Sequence, residues 1–444
     1  LTTTLPAPGL RRGYRASVLH LLGDPHVAPQ AYAYFDDGLL IIEHGHVLAL
    51  GPYATLLDQH PGLEVVDYTG KLIVPGFIDT HVHYPQTEMI GSYGEELLAW
   101  LDAYTYPTER AFADKDYARS VAKVFLRELL RNGTTSALVF ATVHRASVDA
   151  LFEEAEQLGM RLITGKVLMD RNAPAYLRDT PQTAYDESKE LIAAWHNKGR
   201  LSYAVTPRFA GSSSPEQLRA AARLLVEHPD CYLQTHVAEN KSEVRWIESL
   251  YADEVPPHTS YLGVYDHFQL MTERAVFAHG IHLDDEDFDL LARRKSAVSF
   301  CPTSNLFLGS GLFRLDHAQQ RGVKVGLGTD IGAGTSFSLL QTLNEAYKVV
   351  KLQGGKLSAL RAFYLATLGS ARALELADKI GSLLPGREAD FVVLDPDATP
   401  LLAFRNRKVS SIDERLFVLM TLGDDRAVRA TYVAGALVHD RDAL

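Results

Sequence analysis

The chain has 444 residues, 46% of them hydrophobic and 22% charged, with a net charge of −11. That is globular composition with ample material for a core. The acidic balance argues against a nucleic-acid backbone as partner, because phosphate binding needs clustered Lys and Arg.

No uninterrupted apolar run reaches membrane-spanning length, so no membrane partner is expected. The opening LTTTLPAPGLRR lacks the apolar centre of a signal peptide. Cys231 and Cys301 are far apart and imply no disulfide framework. A soluble, cytoplasmic protein is predicted.

Up to about residue 71, YRASVLHLLG, AYAYFDDGLLIIEHGHVLALG and LEVVDYTG read as short strands separated by Gly, Asp-Asp-Gly and Asp-Pro turn signals. A helical pattern competes only near Tyr53 to His60. From Lys71 strands alternate with helices. The candidate strands are LIVPGFIDTHVH, TTSALVFAT, RLITGKVLMD, LSYAVTPRF, CYLQTHVAE, AVFAHGIHL, SAVSFCPTSN and KVGLGTD. One helix is predicted from Asp116 to Asn132 with Gly133 as its cap, another from Ser214 with Pro215 in its first turn, and a third from Asp284-Asp285-Glu286. Eight strands in such alternation predict an α/β fold, a parallel (β/α)8 barrel of TIM type with its chemistry at the C-terminal strand ends. After Gly381, GREADFVVLDP and RAVRATYVAGALVHD return to β character, the second as a hairpin bending at Ala434-Gly435. The tail is expected to join the N-terminal strands in a small β-sandwich. The expected division is 1–71 and 381–444 for the sandwich and 72–380 for the barrel.

The strand ends carry the chemistry. In an extended strand alternate side chains share a face, so His81 and His83 project together. CYLQTHVAE contributes His236 and Glu239, AVFAHGIHL contributes His279 and His282, and KVGLGTD ends in Asp330. A barrel gathers these ends around one axis. Three imidazoles and a carboxylate suit zinc, with iron possible, rather than the all-oxygen shell of calcium or magnesium. A metal so held lowers the pKa of bound water to about 7, so hydroxide is available at neutral pH. Asp330 can ligate and take the water proton, and Glu239 can shuttle protons beside the substrate. His279 is either a further ligand or a donor to the hydroxide; the donor role is favoured. His282 reads as a surface or core histidine. The fourth strand carries no Lys that could bridge two metals, and Lys166 lies on the third, where an ion pair is expected; one metal per chain follows. Gln86 offers a planar donor and acceptor, Arg208 a rigid fork and Phe209 a flat apolar face, a set that can read and stack a planar heterocycle.

PGFIDTHVH, THVAE, the AHG around His279 and the GTD ending at Asp330 resemble the amidohydrolase superfamily. HVHYPQ, LLAWLDAYTYPTE, GKVLMDRNAP, TPRFAGSSS, CPTSNLFLGSG, GLGTDIGAGTSFS and LGDDRAVRATYVAG are similar, more narrowly, to its guanine deaminase family. That resemblance implies zinc on His81, His83, His236 and Asp330, and guanine contacts from Gln86, Arg208 and Phe209. It also places His236, Glu239 and Asp330 against the substrate, and implies catalysis by Glu239, His279 and Asp330 and a homodimer. The implied reaction is hydrolysis of guanine to xanthine and ammonia, with another heterocyclic amine (an oxidised purine, a pterin or a triazine) as the alternative. Zinc deaminases built on Pro-Cys-x-x-Cys are a different class, since the chain has no Cys-x-x-Cys. A metal-free assembly protein on the same fold would have lost ligands, and all are present.

Overall fold

Gly76 divides the Leu72–His83 run between two sheets. A Cβ there would sit 2.2 Å from Thr135 Oγ1, so only glycine lets the chain pass. In the computed structural model, which describes residues 11–93 and 97–443, the run is two strands that meet at the Pro75-Gly76 turn. The N-terminal stretch read for a signal segment lies, over residues 1–10, outside the described residues. No helix among the described residues is long and apolar enough to cross a membrane.

Before Gly76 lie β1 (Arg12–Leu21), β2 (Tyr32–Glu43), β3 (His46–Pro52) and β4 (Glu64–Pro75). After it come β5 (Phe77–His83), β6 (Thr134–Phe140), β7 (Arg161–Gly165), β8 (Val167–Leu168), β9 (Leu201–Pro207) and β10 (Tyr232–Val237). Then follow β11 (Ala275–His279), β12 (Ala297–Phe300), β13 (Lys324–Leu327), β14 (Phe391–Leu394), β15 (Val428–Val433) and β16 (Ala436–Asp440).

The strands β5 to β13 form one parallel sheet in the order β13-β12-β11-β10-β9-β7-β6-β5, with the two-residue β8 beside β9. Counting β7 and β8 as one interrupted strand, these are the eight strands expected. Every residue of β5, β6 and β9 is buried, as in a parallel sheet covered on both faces. The sheet closes just past β13. Asp330 N–H donates to the His81 carbonyl at 2.9 Å, and His83 N–H donates to the Ile331 carbonyl at 3.1 Å. Asp79 braces the seam, accepting from the backbone N–H groups of His81 and Thr329 and from the Thr329 hydroxyl.

The helix starts and stops follow local chemistry. Asp114 caps Lys115–Arg131, and Gly133 takes φ +81° beyond it. Ser214 caps Pro215–Glu227 by accepting from Gln217 N–H, and Asp284 caps Asp285–Arg294.

Both chain ends meet in one seven-stranded mixed sheet, ordered β16-β15-β14-β4-β1-β2-β3. The β15–β16 hairpin turns on Ala434 and Gly435 with φ +46° and +76°, the pair of positive values a two-residue type I′ turn needs. The helices Pro400–Asn406 and Ile412–Leu422, not anticipated from the sequence, lie between β14 and β15.

An ion-pair network bolts this sheet to the barrel. Arg161, at the start of β7, and Arg200, just before β9, both donate to Glu388, and Arg200 also donates to Asp390. These groups sit at the N-terminal strand ends, opposite the C-terminal ends where the chemistry is expected. Glu388→Gln is expected to destabilise the fold by about 3 kcal/mol, since removing one partner leaves buried guanidinium charge under-compensated. Arg161 and Arg200 hold the Glu388 carboxyl below its ordinary value, against the opposing effect of burial. Its contribution is therefore present above the ordinary Glu range and is lost as pH falls through the lowered value. Melting temperatures of the two proteins are expected to differ at neutral pH and to converge in acid; a constant gap would contradict this account.

Candidate active site

The C-terminal strand ends bring one set of donors to a point. His81 and His83, two apart on β5, turn their imidazoles to the same side, with Nε2 atoms 3.3 Å apart. His236 Nε2, from β10, lies 3.2 Å from His83 Nε2. Asp330 Oδ1 is 3.2 Å from His81 Nε2 and 3.4 Å from His83 Nε2.

These separations test the metal expectation. Donors about 2.0–2.1 Å from a tetrahedral zinc lie about 3.3–3.4 Å from one another. Burial pushes His81 down to about 3, and His83 and His236 well below their ordinary value, so the rings are neutral and their lone pairs are free. The Nδ1 of His236 is 2.7 Å from the Arg208 carbonyl, which can only accept, so the ring proton is on Nδ1 and the Nε2 lone pair faces the cluster. The residues fit a zinc ion. Iron takes the same donor types.

Ala238, His279 and Asp330 all adopt positive φ, at +48°, +73° and +52°. Non-glycine residues held in this region cost about 1–3 kcal/mol each and gather at functional sites. Here the turns swing Glu239, His279 and Asp330 inward. Glu239 Oε2 is 3.4 Å from His279 Nε2, and its Oε1 accepts from the Ser310 hydroxyl at 3.2 Å. Burial, then the charges of Asp330 and Glu243, push the Glu239 carboxyl well above its ordinary value. His279 Nδ1 lies 2.9 Å from the Asn305 side-chain amide nitrogen, and its Nε2 lies 3.8 Å from Asp330 Oδ2. A ring proton on Nε2, with Nδ1 accepting from that amide, suits a donor rather than a ligand.

The heterocycle-reading residues share one cavity. Arg208 and Phe209 follow β9 directly, and Gln86 lies on the 3₁₀ turn Tyr84–Met89 after β5. Gln86 Oε1 accepts from Gly332 N–H at 2.9 Å, so its amide nitrogen remains for another acceptor. Every site residue expected from the sequence lines this cavity except His81, which lies beneath it against His83. Leu97, Leu98, Trp100, Leu101 and Leu308 supply apolar wall. His282 is not on the lining and lies 2.9 Å from the Ser310 carbonyl. Lys166 is buried in an ion pair with Asp179.

Three contributors escaped sequence reasoning. Glu109 binds the Arg208 guanidinium, Glu243 accepts from the Glu239 backbone N–H, and Asn305 bonds His279. Only Glu243 left a local signal, as the third helical residue after Asn240 in a capping box. Glu109 and Asn305 sit within segments that carried the family resemblance, but neither shows a spacing that names its partner.

A family model for the amidohydrolase family matches residues 72–438. The chain belongs to the amidohydrolase family. Among its relatives, the guanine deaminase of Escherichia coli (strain K12) is 55% identical over 432 residues, covering 97% of this amidohydrolase and 98% of the relative. The solved structure of E. coli guanine deaminase superposes with a TM-score of 0.94, at 55% identity over 97% of this chain and all of the other. A guanine deaminase from C. acetobutylicum, solved with guanine bound in its active site, superposes with a TM-score of 0.87 at 29% identity over 97% of this chain and all of the other.

Proposed function

We propose that this amidohydrolase is a guanine deaminase that hydrolyses guanine to xanthine and ammonia. The observation that carries the reading is the single cavity in which Gln86, Arg208 and Phe209 stand beside the imidazole and carboxylate cluster. The likeness to guanine deaminases over nearly the whole chain supports it.

His81, His83, His236 and Asp330 would hold one zinc, which when bound supplies a water acidic enough to ionise near neutral pH. Asp330 orients the attacking water and accepts its proton. Glu239 delivers a proton to N3 of the ring as oxygen adds at C2, then takes the remaining proton of the added hydroxyl and passes it to the amine, which leaves as ammonia while C2 becomes a carbonyl; Asp330 returns its proton to Glu239. His279 donates from Nε2 to the incoming oxygen. Arg208 donates to the C6 carbonyl, Gln86 pairs with the ring edge, and Phe209 packs against the ring face. His236, Glu239 and Asp330 bound the reacting end of the base.

The test is xanthine and ammonia formation from guanine alongside adenine, an oxidised purine, a pterin and a triazine. Guanine is expected to be turned over best; a higher kcat/KM on any other amine would overturn the assignment. Elemental analysis of the purified protein is expected to give one equivalent of zinc, or iron in its place, at this site. A chelator should abolish activity and added zinc restore it. Two equivalents at the site would contradict the single-metal reading, which is supported by the engagement of Lys166 with Asp179.

The proposal extends to a homodimer, on the family resemblance, and to a cytoplasmic setting, which suits the buried free thiols Cys231 and Cys301. It also assigns residues 72–380 to the hydrolase barrel and residues 1–71 and 381–444 to the domain of the mixed sheet, with Leu72–Pro75 of β4 crossing that boundary to pair with β14.

A further inference from the structure

Arg208 does not stand alone in the cavity wall. Its guanidinium Nη1 donates to Glu109 Oε1 at 2.8 Å and to Oε2 at 3.0 Å. Glu109 is 0% exposed and Arg208 2%. Glu109 accepts from no other group among the described residues, and Arg208 Nε and Nη2 have no partner there. Tyr106 precedes Glu109 by three positions on the helix Tyr106–Glu109, so ring and carboxylate share a face. The Arg208 guanidinium lies over that ring, 5.6 Å from its centre. Burial lowers the guanidinium's pKa and the Glu109 charge raises it, with the net direction upward, so the arginine stays charged.

We propose that Glu109 is a specificity-determining residue: it makes Arg208 a charge-compensated hydrogen-bonding fork, so that the pocket accepts a neutral lactam and discriminates against an anionic purine. This rests on the reading of the site as one for guanine. A neutral carbonyl needs N–H donors, which Nε and Nη2 still offer. An anion responds to net charge, which the pair cancels. The distinction matters for this reaction because the product is more acidic than the substrate. Replacing the amine by a second carbonyl makes a ring N–H of xanthine easier to lose. An uncompensated guanidinium in a buried pocket would hold the xanthine anion and slow its release. Glu109 itself touches no substrate in this scheme and acts through Arg208.

The experiment uses full-length, metal-replete Glu109→Gln and Glu109→Met, with Glu109→Asp as the charge-retaining control. Steady-state kinetics on guanine and inhibition constants for xanthine are measured below and above the first ionisation of xanthine. In both neutral variants, xanthine above its ionisation is expected to inhibit more tightly by at least about tenfold relative to wild type, well inside the roughly 250-fold that one unit charge about 5 Å away represents at an effective dielectric near 20. Below the ionisation the change should stay under about threefold, and metal content should not change. Glu109→Asp should follow the wild-type pH dependence even if its KM for guanine rises. An equal shift at both pH values, no shift, or weaker anion binding in the neutral variants overturns the inference, as does Glu109→Asp behaving like Glu109→Gln. Wild-type turnover of guanine separates the two readings. Its absence sinks the guanine assignment, whereas normal wild-type turnover with an unchanged xanthine ratio in the variants sinks this inference alone.

Discussion

Glu239→Gln is expected to keep its metal and lose most of its turnover. Glu239 is 2% exposed, with one oxygen toward His279 and the other accepting from Ser310. Gln matches its shape and can keep one of those contacts. It cannot deliver a proton to the ring nitrogen and then pass another to the leaving amine. A general acid–base group contributes roughly 10² to 10⁴-fold, and this one is asked to act twice. A fall in kcat of at least about 10³-fold follows, with little change in KM. Glu239 lies outside the His81, His83, His236 and Asp330 set, so metal analysis should match wild type. A metal-replete variant with kcat within about tenfold of wild type would remove Glu239 from the proton path.

Arg208→Met is expected to cost nearly as much in kcat/KM for guanine. Guanine presents a carbonyl acceptor at C6, which suits a guanidinium donor. Adenine presents an amine there, so donor would face donor in a desolvated pocket. An unpaired buried polar group costs about 1–3 kcal/mol, more when charged, and sites built on such pairing discriminate by roughly 10⁴. Adenine's amine is also at C6, away from the carbon attacked in guanine. Arg208 bonds a proposed ligand through its backbone carbonyl, 2.7 Å from His236 Nδ1, which Met also supplies, so metal content should not change.

Arg208→Met also strands Glu109. Leaving one member of a buried pair costs about 3–5 kcal/mol of stability, which could mimic a catalytic loss. The double variant Arg208→Met/Glu109→Gln leaves no buried charge at the pair and is the fair comparison. Both variants should lose guanine turnover by about 10³-fold or more, with the double variant the more stable. If the double variant retains guanine turnover within about tenfold, roughly 1.4 kcal/mol, Arg208 is not the reader of the purine carbonyl.

Much of the site was legible because its signals are local. His81 and His83 share a face by strand periodicity alone, and Asp330 is recognisable from its place at the end of KVGLGTD. The caps at Ser214, Asp284 and Gly133 follow from side-chain donors, acceptors and backbone freedom within a few residues. Alternation of strand and helix was enough to number the barrel strands.

Three features depended on contacts between distant segments. Gly76 must be glycine because Thr135 fills the space a side chain would need, a contact that the Pro75-Gly76 turn signal does not name. The tail strand β14 inserts between β4 and β15, a pairing that no turn or period in either segment specifies. Glu109 meets Arg208 across 99 positions of sequence. The sequence by itself determined which residues could bind a metal or carry protons, since that is a property of side-chain chemistry and of spacing along one strand. Only the tertiary structure decided that Glu109 stands against Arg208 and Asn305 against His279. A buried polar group must find a partner to offset its lost hydration, and which partner it finds depends on how separate strands and loops pack together.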